Sequence, residues 1–182
     1  MLRIDRRPKV LESRILARSW RIEYFEDTLC YGEAHPEKYT WYRSPDFAIM
    51  VAPGKDGRIP LVRQYRHAAK REFWELPAGL VEEAESPLDC ARREFEEEVG
   101  RTLVKPRHLA TFYTVPSRSN QRAYLFEGEV GGEADSKPDC SERITRRFVE
   151  LSRVGALLSK RMEAFPYLAF LIWQTKHQKS PV

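Results

Sequence analysis

The sequence of 182 residues has few cysteines, few glycines and no long apolar run. Its three cysteines lack Cys-x-x-Cys spacing, and an odd number of them cannot pair completely within one chain. We therefore expect buried or reduced thiols at Cys30, Cys90 and Cys140. With only 9 glycines and 12 prolines, the composition is that of a globular protein and of neither collagen nor a low-complexity chain.

Membrane and secretory signals are also missing. No apolar run approaches the roughly 18 residues that a transmembrane helix needs, so we predict no such helix. The N-terminal stretch alternates charged and apolar side chains and lacks the apolar core of a secretory signal, which predicts a cytoplasmic protein. A chain of 182 residues leaves room for one main domain and a small appendage, at about 100–200 residues per domain.

The charge of the chain is mildly positive overall and strongly negative in one segment. The net charge is +4, from 31 basic and 27 acidic residues. The basic residues are spread along the chain, whereas nucleic-acid-binding proteins gather them in a stripe with aromatic residues, so we do not expect a nucleic-acid partner. Against this background, eight acidic residues fall between Glu82 and Glu98, which makes this segment the candidate functional region.

Residues 1–45 predict a small antiparallel β-meander. Three β-rich runs are predicted as strands, at 14–17, 21–25 and 39–43. The polar segments Glu26-Asp27 and Gly32–Pro36 are predicted as the turns between them. So small a sheet does not fold alone, and we expect it to pack on the main domain or on a second subunit. Exposed aromatic residues favour a partner surface, and the candidates are Trp20, Tyr24, Trp41 and Tyr42.

Residues 46–182 predict an α/β domain. It begins with Phe47–Ala52, an uninterrupted apolar run typical of a strand buried on both faces. The turn Gly54–Gly57 and the alternating run 61–66 then predict a β-hairpin. Further elements are predicted as strands near 72–77, 108–114, 121–130 and 146–151, a polar loop over 131–141, and one or two helices up to Lys176.

The acidic segment contains a well-defined helix. Ser86 is a suitable N-cap, Pro87 suits the first helical position and Gly100 suits the residue after the helix. Between them, apolar residues recur at helical spacing and form one stripe, which consists of Leu88, Ala91, Phe95 and Val99.

Three glutamates of this helix, Glu94, Glu97 and Glu98, are spaced so that their carboxylates share one face. Like charges this close repel, so the cluster is unfavourable unless a positive group lies among them. Oxygen ligands without nearby His or Cys select hard cations, Mg2+ or Mn2+. Arg93 can pair with Glu97 or orient a neighbouring carboxylate. A solvated acidic helix face is the alternative interpretation.

The acidic segment contains a glycine, a glutamate, an Arg-Glu pair, a Glu-Glu pair and a final glycine at set intervals. These residues are Gly79, Glu85, Arg93-Glu94, Glu97-Glu98 and Gly100. Their spacing resembles that of the Nudix box, the loop-helix-loop motif of the Nudix hydrolases. Two apolar positions differ from the motif: Phe95 stands where an aliphatic residue is usual, and Arg101 replaces the aliphatic residue that ends the motif.

The resemblance covers roughly residues 45–175 and indicates one branch of the family. Leu76–Gly79, Gln64–Arg66 and Pro116 resemble the ADP-ribose and nucleoside diphosphate sugar pyrophosphatases. This resemblance implies a Nudix α/β/α sandwich with a mixed central sheet. It also implies Mg2+-dependent hydrolysis of ADP-ribose or another nucleotide sugar, such as GDP-mannose, to nucleoside monophosphate and sugar phosphate. A homodimer formed through the N-terminal strands is a further implication.

The same resemblance assigns chemical roles to individual residues. Glu94 and Glu98 would be the main metal ligands, assisted by Glu97 and by the backbone carbonyl of Ala78. The attacking water would be oriented by the metal ions, by Glu97 or by a carboxylate of a later loop. In that loop, Glu142 matches the family position best.

Substrate contacts are assigned in the same way. Arg66 would hold a phosphate, because a guanidinium matches phosphate oxygens, and a surface ion pair is the alternative. Trp41 or Tyr42 of the N-terminal strands would stack on the base. The run 114–122 resembles the substrate loop of the branch. Its notable residues are Pro116, Arg118 where a glycine is common, and Gln121 where a glutamate is common.

Two other functions stay open at this stage. A catalytically weak regulator would bind a nucleotide without turnover, but the complete carboxylate set argues against it. An RNA 5′-end or cap pyrophosphohydrolase would suit the basic net charge, but no long basic arm or aromatic platform is visible. A small-molecule nucleotide sugar is therefore the partner that we expect.

Overall fold

The computed structural model describes residues 7–135, 144–160 and 164–177. The chain divides into two compact units. The first contains the chain up to Pro45 together with Tyr113–Arg122, and the second contains Asp46–Phe112 and the chain from Ala123 onward. The short segment Tyr113–Arg122 therefore belongs with the N-terminal strands, although it lies within the second half of the sequence.

The first unit contains a three-stranded antiparallel sheet in the order β1-β2-β3, as the sequence predicts. The strands are β1 (Lys9–Arg18), β2 (Glu23–Cys30) and β3 (Glu37–Arg43). The predicted turn at Glu26-Asp27 is wrong, because both residues lie inside β2 and the chain turns between Ser19 and Ile22 instead. Their polar side chains do not interrupt the strand because both have partners across the sheet. Glu26 pairs with Arg14 at 2.8 Å, and Asp27 accepts from the Trp41 indole at 2.8 Å.

The aromatic residues of this sheet differ in exposure. Trp20 is 84% exposed and Tyr24 is 42% exposed, as expected. Trp41 and Tyr42 are only partly exposed, which corrects the expectation that all four rings face solvent. Trp41 is partly covered because its ring stacks in parallel on Phe25, with ring centroids 4.5 Å apart.

The second unit contains seven strands and three α-helices within the described residues. The strands are β4 (Phe47–Val51), β5 (Arg58–Arg66), β6 (Arg71–Glu75), β7 (Ala78–Leu80), β8 (Arg101–Tyr113), β9 (Arg122–Glu133) and β10 (Thr145–Glu150). The helices are α1 (Pro87–Val99), α2 (Leu151–Lys160) and α3 (Ala164–His177). The polar loop predicted from Gly131 starts later, because β9 continues to Glu133.

Two sheets organise these strands, in the orders β7-β4-β9-β8 and β10-β5-β6. The first is mixed, since β4 runs parallel to β9 and antiparallel to β7. The predicted hairpin of β4 with β5 is wrong, although the tight turn is present and the Gly54 amide donates to the Arg58 carbonyl at 2.8 Å. β4 already has partners on both edges, so β5 instead pairs with β6 and β10.

The side chains of β4 alternate between two hydrophobic cores. Ile49 and Val51 belong to a core with residues of α2 and α3, whereas Ala48 and Met50 belong to a core with residues of α1. Both sets are at most 1% exposed. The prediction of a strand buried on both faces is confirmed, and it explains why the run has no polar residue. Helices on opposite faces of a mixed sheet confirm the predicted α/β architecture.

The structure bears on the predictions about membrane helices and about the cysteines. None of the helices in the described ranges is long and apolar enough to cross a membrane. Cys30 and Cys90 are free, and Cys90 is buried, whereas Cys140 lies outside the described residues. A cytoplasmic location stays a prediction.

Candidate active site

Helix α1 forms where the sequence predicts it and for the predicted local reasons. The Ser86 hydroxyl accepts a hydrogen bond from the Asp89 amide at 3.1 Å, and Pro87 occupies the first turn. Gly100 follows the helix in the left-handed conformation, with φ of 71°. Phe95 is fully buried in the core beneath the helix, so an aromatic ring is accommodated at this apolar position.

Two carboxylates of α1 lie against consecutive residues of β7. Glu98 is 6% exposed and accepts from the Ala78 amide at 2.9 Å. Glu94 lies directly over Gly79, because a Cβ atom on Gly79 would lie 1.8 Å from the Glu94 Cδ atom. The glycine is therefore required by the close approach of this carboxylate.

Arg93 is the positive group that lies among the carboxylates. Its guanidinium donates to both oxygens of Glu85, at 2.9 and 3.0 Å. One nitrogen of the same group donates to Glu94 at 2.7 Å and to Glu97 at 3.1 Å. A single arginine thus bonds three glutamates and offsets the repulsion that their spacing creates.

The contact between Arg93 and Glu85 shifts the pKa of both groups. Hydrogen bonding to Arg93 lowers the pKa of the Glu85 carboxyl, and the bond to Glu85 is the main cause that raises the pKa of Arg93. Burial, followed by the charges of Glu85 and Glu94, raises the pKa of the Cys90 thiol to about 12. The thiol is therefore neutral at physiological pH and is not an active nucleophile.

The donor chemistry of this cluster fits a hard divalent cation, since every candidate ligand atom is an oxygen. Within the described ranges, however, no group of three or more His, Cys, Asp or Glu side chains is arranged to hold a metal ion. The contacts explain this, because Arg93 binds Glu94 and Glu97 while the Ala78 amide binds Glu98. The ligand roles of Ala78, Glu94, Glu97 and Glu98 stay predictions.

Arg66 forms an ion pair with a buried glutamate. Its Nε atom donates to one carboxylate oxygen of Glu75 at 2.9 Å, and its Nη2 atom donates to the other oxygen. Glu75 is 3% exposed, so the guanidinium neutralises a charge inside the domain. Sequence reasoning missed Glu75, and the available signal was an acidic residue within the apolar run 73–76. Phosphate binding by Arg66 stays a prediction.

The other candidate substrate residues lie in the first unit. Trp41 is stacked on Phe25, and its indole is bonded to Asp27. The segment that contains Pro116 is joined to β3 by two hydrogen bonds. The Arg118 guanidinium donates to the Thr40 carbonyl at 2.9 Å, and the Tyr42 amide donates to the Arg118 carbonyl at 2.8 Å. The roles of Trp41, Tyr42, Pro116 and Arg118 stay predictions, and Glu142 lies outside the described residues.

At position 121, glutamine makes contacts that the glutamate common in the branch could not make. Its amide nitrogen donates to the Ser44 hydroxyl at 3.1 Å and to the Pro45 carbonyl at 2.7 Å. Its amide oxygen accepts from the Thr114 hydroxyl at 3.2 Å. A carboxylate cannot make the two donor contacts, so glutamine is the residue that joins this segment to the chain at 44–45.

Comparison with known proteins supports the interpretation of the acidic segment. The NUDIX domain profile matches residues 43–171. The ADP-ribose pyrophosphatase of Bacillus subtilis is 32% identical over 132 residues, which cover 72% of this chain and 69% of that protein. An ADP-ribose pyrophosphatase of Mycobacterium tuberculosis is 45% identical over 87 residues, covering 45% of this chain and 42% of that protein. Other curated relatives are matched over about half of their length.

A solved structure supports the fold independently. The crystal structure of an ADP compounds hydrolase matches with a TM-score of 0.81 over 93% of this chain and 94% of that chain. At 20% sequence identity, this likeness concerns the fold. Together with the domain match and the motif built around α1, these findings confirm the resemblance: the chain belongs to the Nudix hydrolase family, in the branch of its ADP-ribose pyrophosphatase relatives.

Proposed function

We propose that this protein hydrolyses the pyrophosphate of ADP-ribose, or of another nucleoside diphosphate sugar such as GDP-mannose, in a reaction that requires Mg2+. The products are a nucleoside monophosphate and a sugar phosphate. The observation that carries the proposal is a pair of carboxylates beside consecutive residues of β7: Glu98 accepts from the Ala78 amide, and Glu94, which is bonded to Arg93, lies over Gly79. The names of the relatives support the choice of ADP-ribose as the first substrate to test.

The negative charge of a pyrophosphate explains why such a site requires a cation. A bound divalent ion would offset that charge and lower the pKa of a water molecule. Glu94 and Glu98 would hold the ion, with Glu97 and the Ala78 carbonyl as further candidate ligands, and Mn2+ is the alternative ion. Divalent metals are in general use among Nudix hydrolases.

Among the carboxylates bound by Arg93, Glu97 is the candidate for orienting water. Its side chain is 32% exposed, whereas Glu85 and Glu94 are each 14% exposed. A residue that exchanges a proton with water must be reachable by water. The contact with Arg93 keeps Glu97 oriented, and a loop carboxylate such as Glu142 is the competing candidate.

Product analysis tests this function directly. The purified protein is incubated with Mg2+ and, separately, with ADP-ribose, GDP-mannose, UDP-glucose and an RNA with a 5′-triphosphate, and products are separated by chromatography. We expect AMP and ribose phosphate from ADP-ribose, complete loss of turnover with EDTA, and recovery when Mg2+ is added back. Release of pyrophosphate from the RNA, without turnover of any nucleotide sugar, would contradict the proposal and favour an RNA 5′-end pyrophosphohydrolase. Binding of ADP-ribose without turnover would replace it by a regulatory role.

The proposed functional form is a homodimer that associates through the N-terminal strands. Every residue of β1 is exposed, including the apolar residues Val10, Leu11, Ile15 and Leu16. An exposed edge strand with apolar side chains is a surface that a second chain can cover. We expect light scattering to give twice the mass of the chain, and Ile15→Lys to shift it toward the monomer mass. A monomeric wild-type protein at micromolar concentration would contradict the proposal.

A further inference from the structure

The last turn of α1 carries an unfavourable arrangement of charge. Glu96, Glu97 and Glu98 occupy the C-terminal end of the helix, where the backbone carbonyls already create a negative partial charge. The helix has no basic residue of its own in this turn. Two of the carboxylates that the proposed function uses, Glu97 and Glu98, therefore lie where a helix holds carboxylates least favourably.

A basic residue from another element compensates for this arrangement. Arg146 lies on β10, and its guanidinium donates to the Val99 carbonyl at 3.0 Å. The same group lies directly against Gly100, because a Cβ atom there would be 2.3 Å from the Arg146 Nη1 atom. Cationic donors at a helix C-terminus stabilise the end of the helix, and here the donor comes from a distant part of the sequence.

The neighbouring carbonyl is bound from a second strand. Gly100 accepts a hydrogen bond from the Ala134 amide at 3.2 Å, just after the end of β9. Its own amide closes the helix by donating to the Glu96 carbonyl at 2.9 Å. The end of α1 is thus held from β9 and from β10, and only the contact from β10 supplies a charge.

The position of β10 relative to α1 is itself fixed by packing. Arg146 lies opposite Val62 of β5 in the sheet register, and Val62 is 1% exposed. Phe148, two residues further along β10, packs against the core beneath α1. Side chains two residues apart on a strand share a face, so the register that packs Phe148 against this core also directs Arg146 toward the helix.

We propose that Arg146 is a positioning residue for the hydrolysis, acting through the last turn of α1 on Glu97 and Glu98 without touching the substrate. The inference rests on the proposed function, because it gives the position of these carboxylates a catalytic meaning. Arg146 itself is exposed, so its loss leaves the hydrophobic core intact. Catalysis is more sensitive than folding to a small displacement of a metal-binding carboxylate.

Three variants separate positioning from a general structural effect. Arg146→Met removes the charge and the donor but keeps most of the side-chain length, and Arg146→Lys keeps the charge. Arg147→Met is the matched control, because Arg147 is an exposed neighbour on β10 whose guanidinium lies over Trp74, 5.6 Å from the ring centroid. We expect Arg146→Met to lower kcat on ADP-ribose about tenfold and to raise the Mg2+ concentration for half-maximal activity, with KM for ADP-ribose changed less than about twofold. Arg146→Lys should recover most of kcat, and Arg147→Met should match the wild type.

A second readout does not depend on turnover. Amide hydrogen exchange without metal reports whether the end of α1 has loosened, and we expect the Gly100 amide to exchange at least about tenfold faster in Arg146→Met than in Arg147→Met. Unchanged exchange at Gly100, or an unchanged kcat in an active wild-type background, would overturn the inference. If the wild-type protein hydrolyses none of the nucleotide sugars, the proposed function fails on its own. The exchange comparison then still decides whether Arg146 holds this turn.

Discussion

Replacing Glu98 by glutamine is expected to lower kcat on the nucleotide sugar by at least about a thousandfold. The substitution removes the negative charge that would hold a divalent ion, and metal-assisted stabilisation is worth several kcal/mol, at about 1.4 kcal/mol for each factor of ten in rate. The fold should persist, because the glutamine oxygen can still accept from the Ala78 amide. Steady-state kinetics with saturating Mg2+, beside a urea unfolding curve, measures both effects.

Glu83→Gln is the matched control for this substitution. Glu83 is an exposed acid of the same segment and lies outside the network around Arg93. Its replacement by glutamine therefore removes one negative charge, as Glu98→Gln does, without changing that network. We expect its kcat to equal that of the wild type. If Glu98→Gln kept kcat within about tenfold of the control, Glu98 would not be a main ligand of the catalytic ion.

Replacing Gly79 by alanine is expected to lower kcat about a hundredfold with substrate binding less affected. The added Cβ atom would lie 1.8 Å from the Glu94 Cδ atom and 1.9 Å from its Oε1 atom, so the carboxylate must leave its position. A misplacement of about 1 Å in a catalytic group has effects of this size. The backbone at Gly79 is not in the left-handed region, so the expected loss arises from the displaced carboxylate rather than from backbone strain.

Gly132→Ala supplies the control for added volume. Gly132 lies on β9, and a Cβ atom built there meets no atom within 4 Å. We expect wild-type kinetics from this variant. Wild-type activity from Gly79→Ala as well would show that Glu94 works equally well away from β7, and the carboxylate pair would lose its role in the proposed mechanism.

The features that the sequence predicts well are those determined by neighbouring residues. The ends of α1 follow from Ser86, Pro87 and Gly100, all of which are adjacent to the helix or begin it. The doubly buried strand β4 follows from five consecutive apolar residues. The contact of Arg93 with Glu97 is a spacing of four residues on one helix, so it too is determined locally.

The features that the sequence does not predict depend on partners far along the chain. The turn at Gly54–Gly57 is a local signal, but the pairing of β4 is decided by β7 and β9, which occupy both of its edges. Likewise, Glu75 becomes a buried partner of Arg66 only when β5 and β6 pair. The cap that Arg146 gives α1 requires β10 to lie beside the helix, and no local pattern indicates this.

The parallel pairing of β4 with β9 also sets the order in which the molecule can be assembled. Phe47 lies opposite Ala123 in this pair, so its formation closes a long loop that contains β5 to β8 and α1. Such long-range closure is slow compared with the formation of an isolated helix or hairpin. Helix α1 has its packing surface on β4, and before β9 is added that strand has only the short strand β7 as a partner in its sheet. A ribosome-bound chain that ends before β9 therefore holds the complete acidic motif and yet lacks the scaffold that would make it a catalyst.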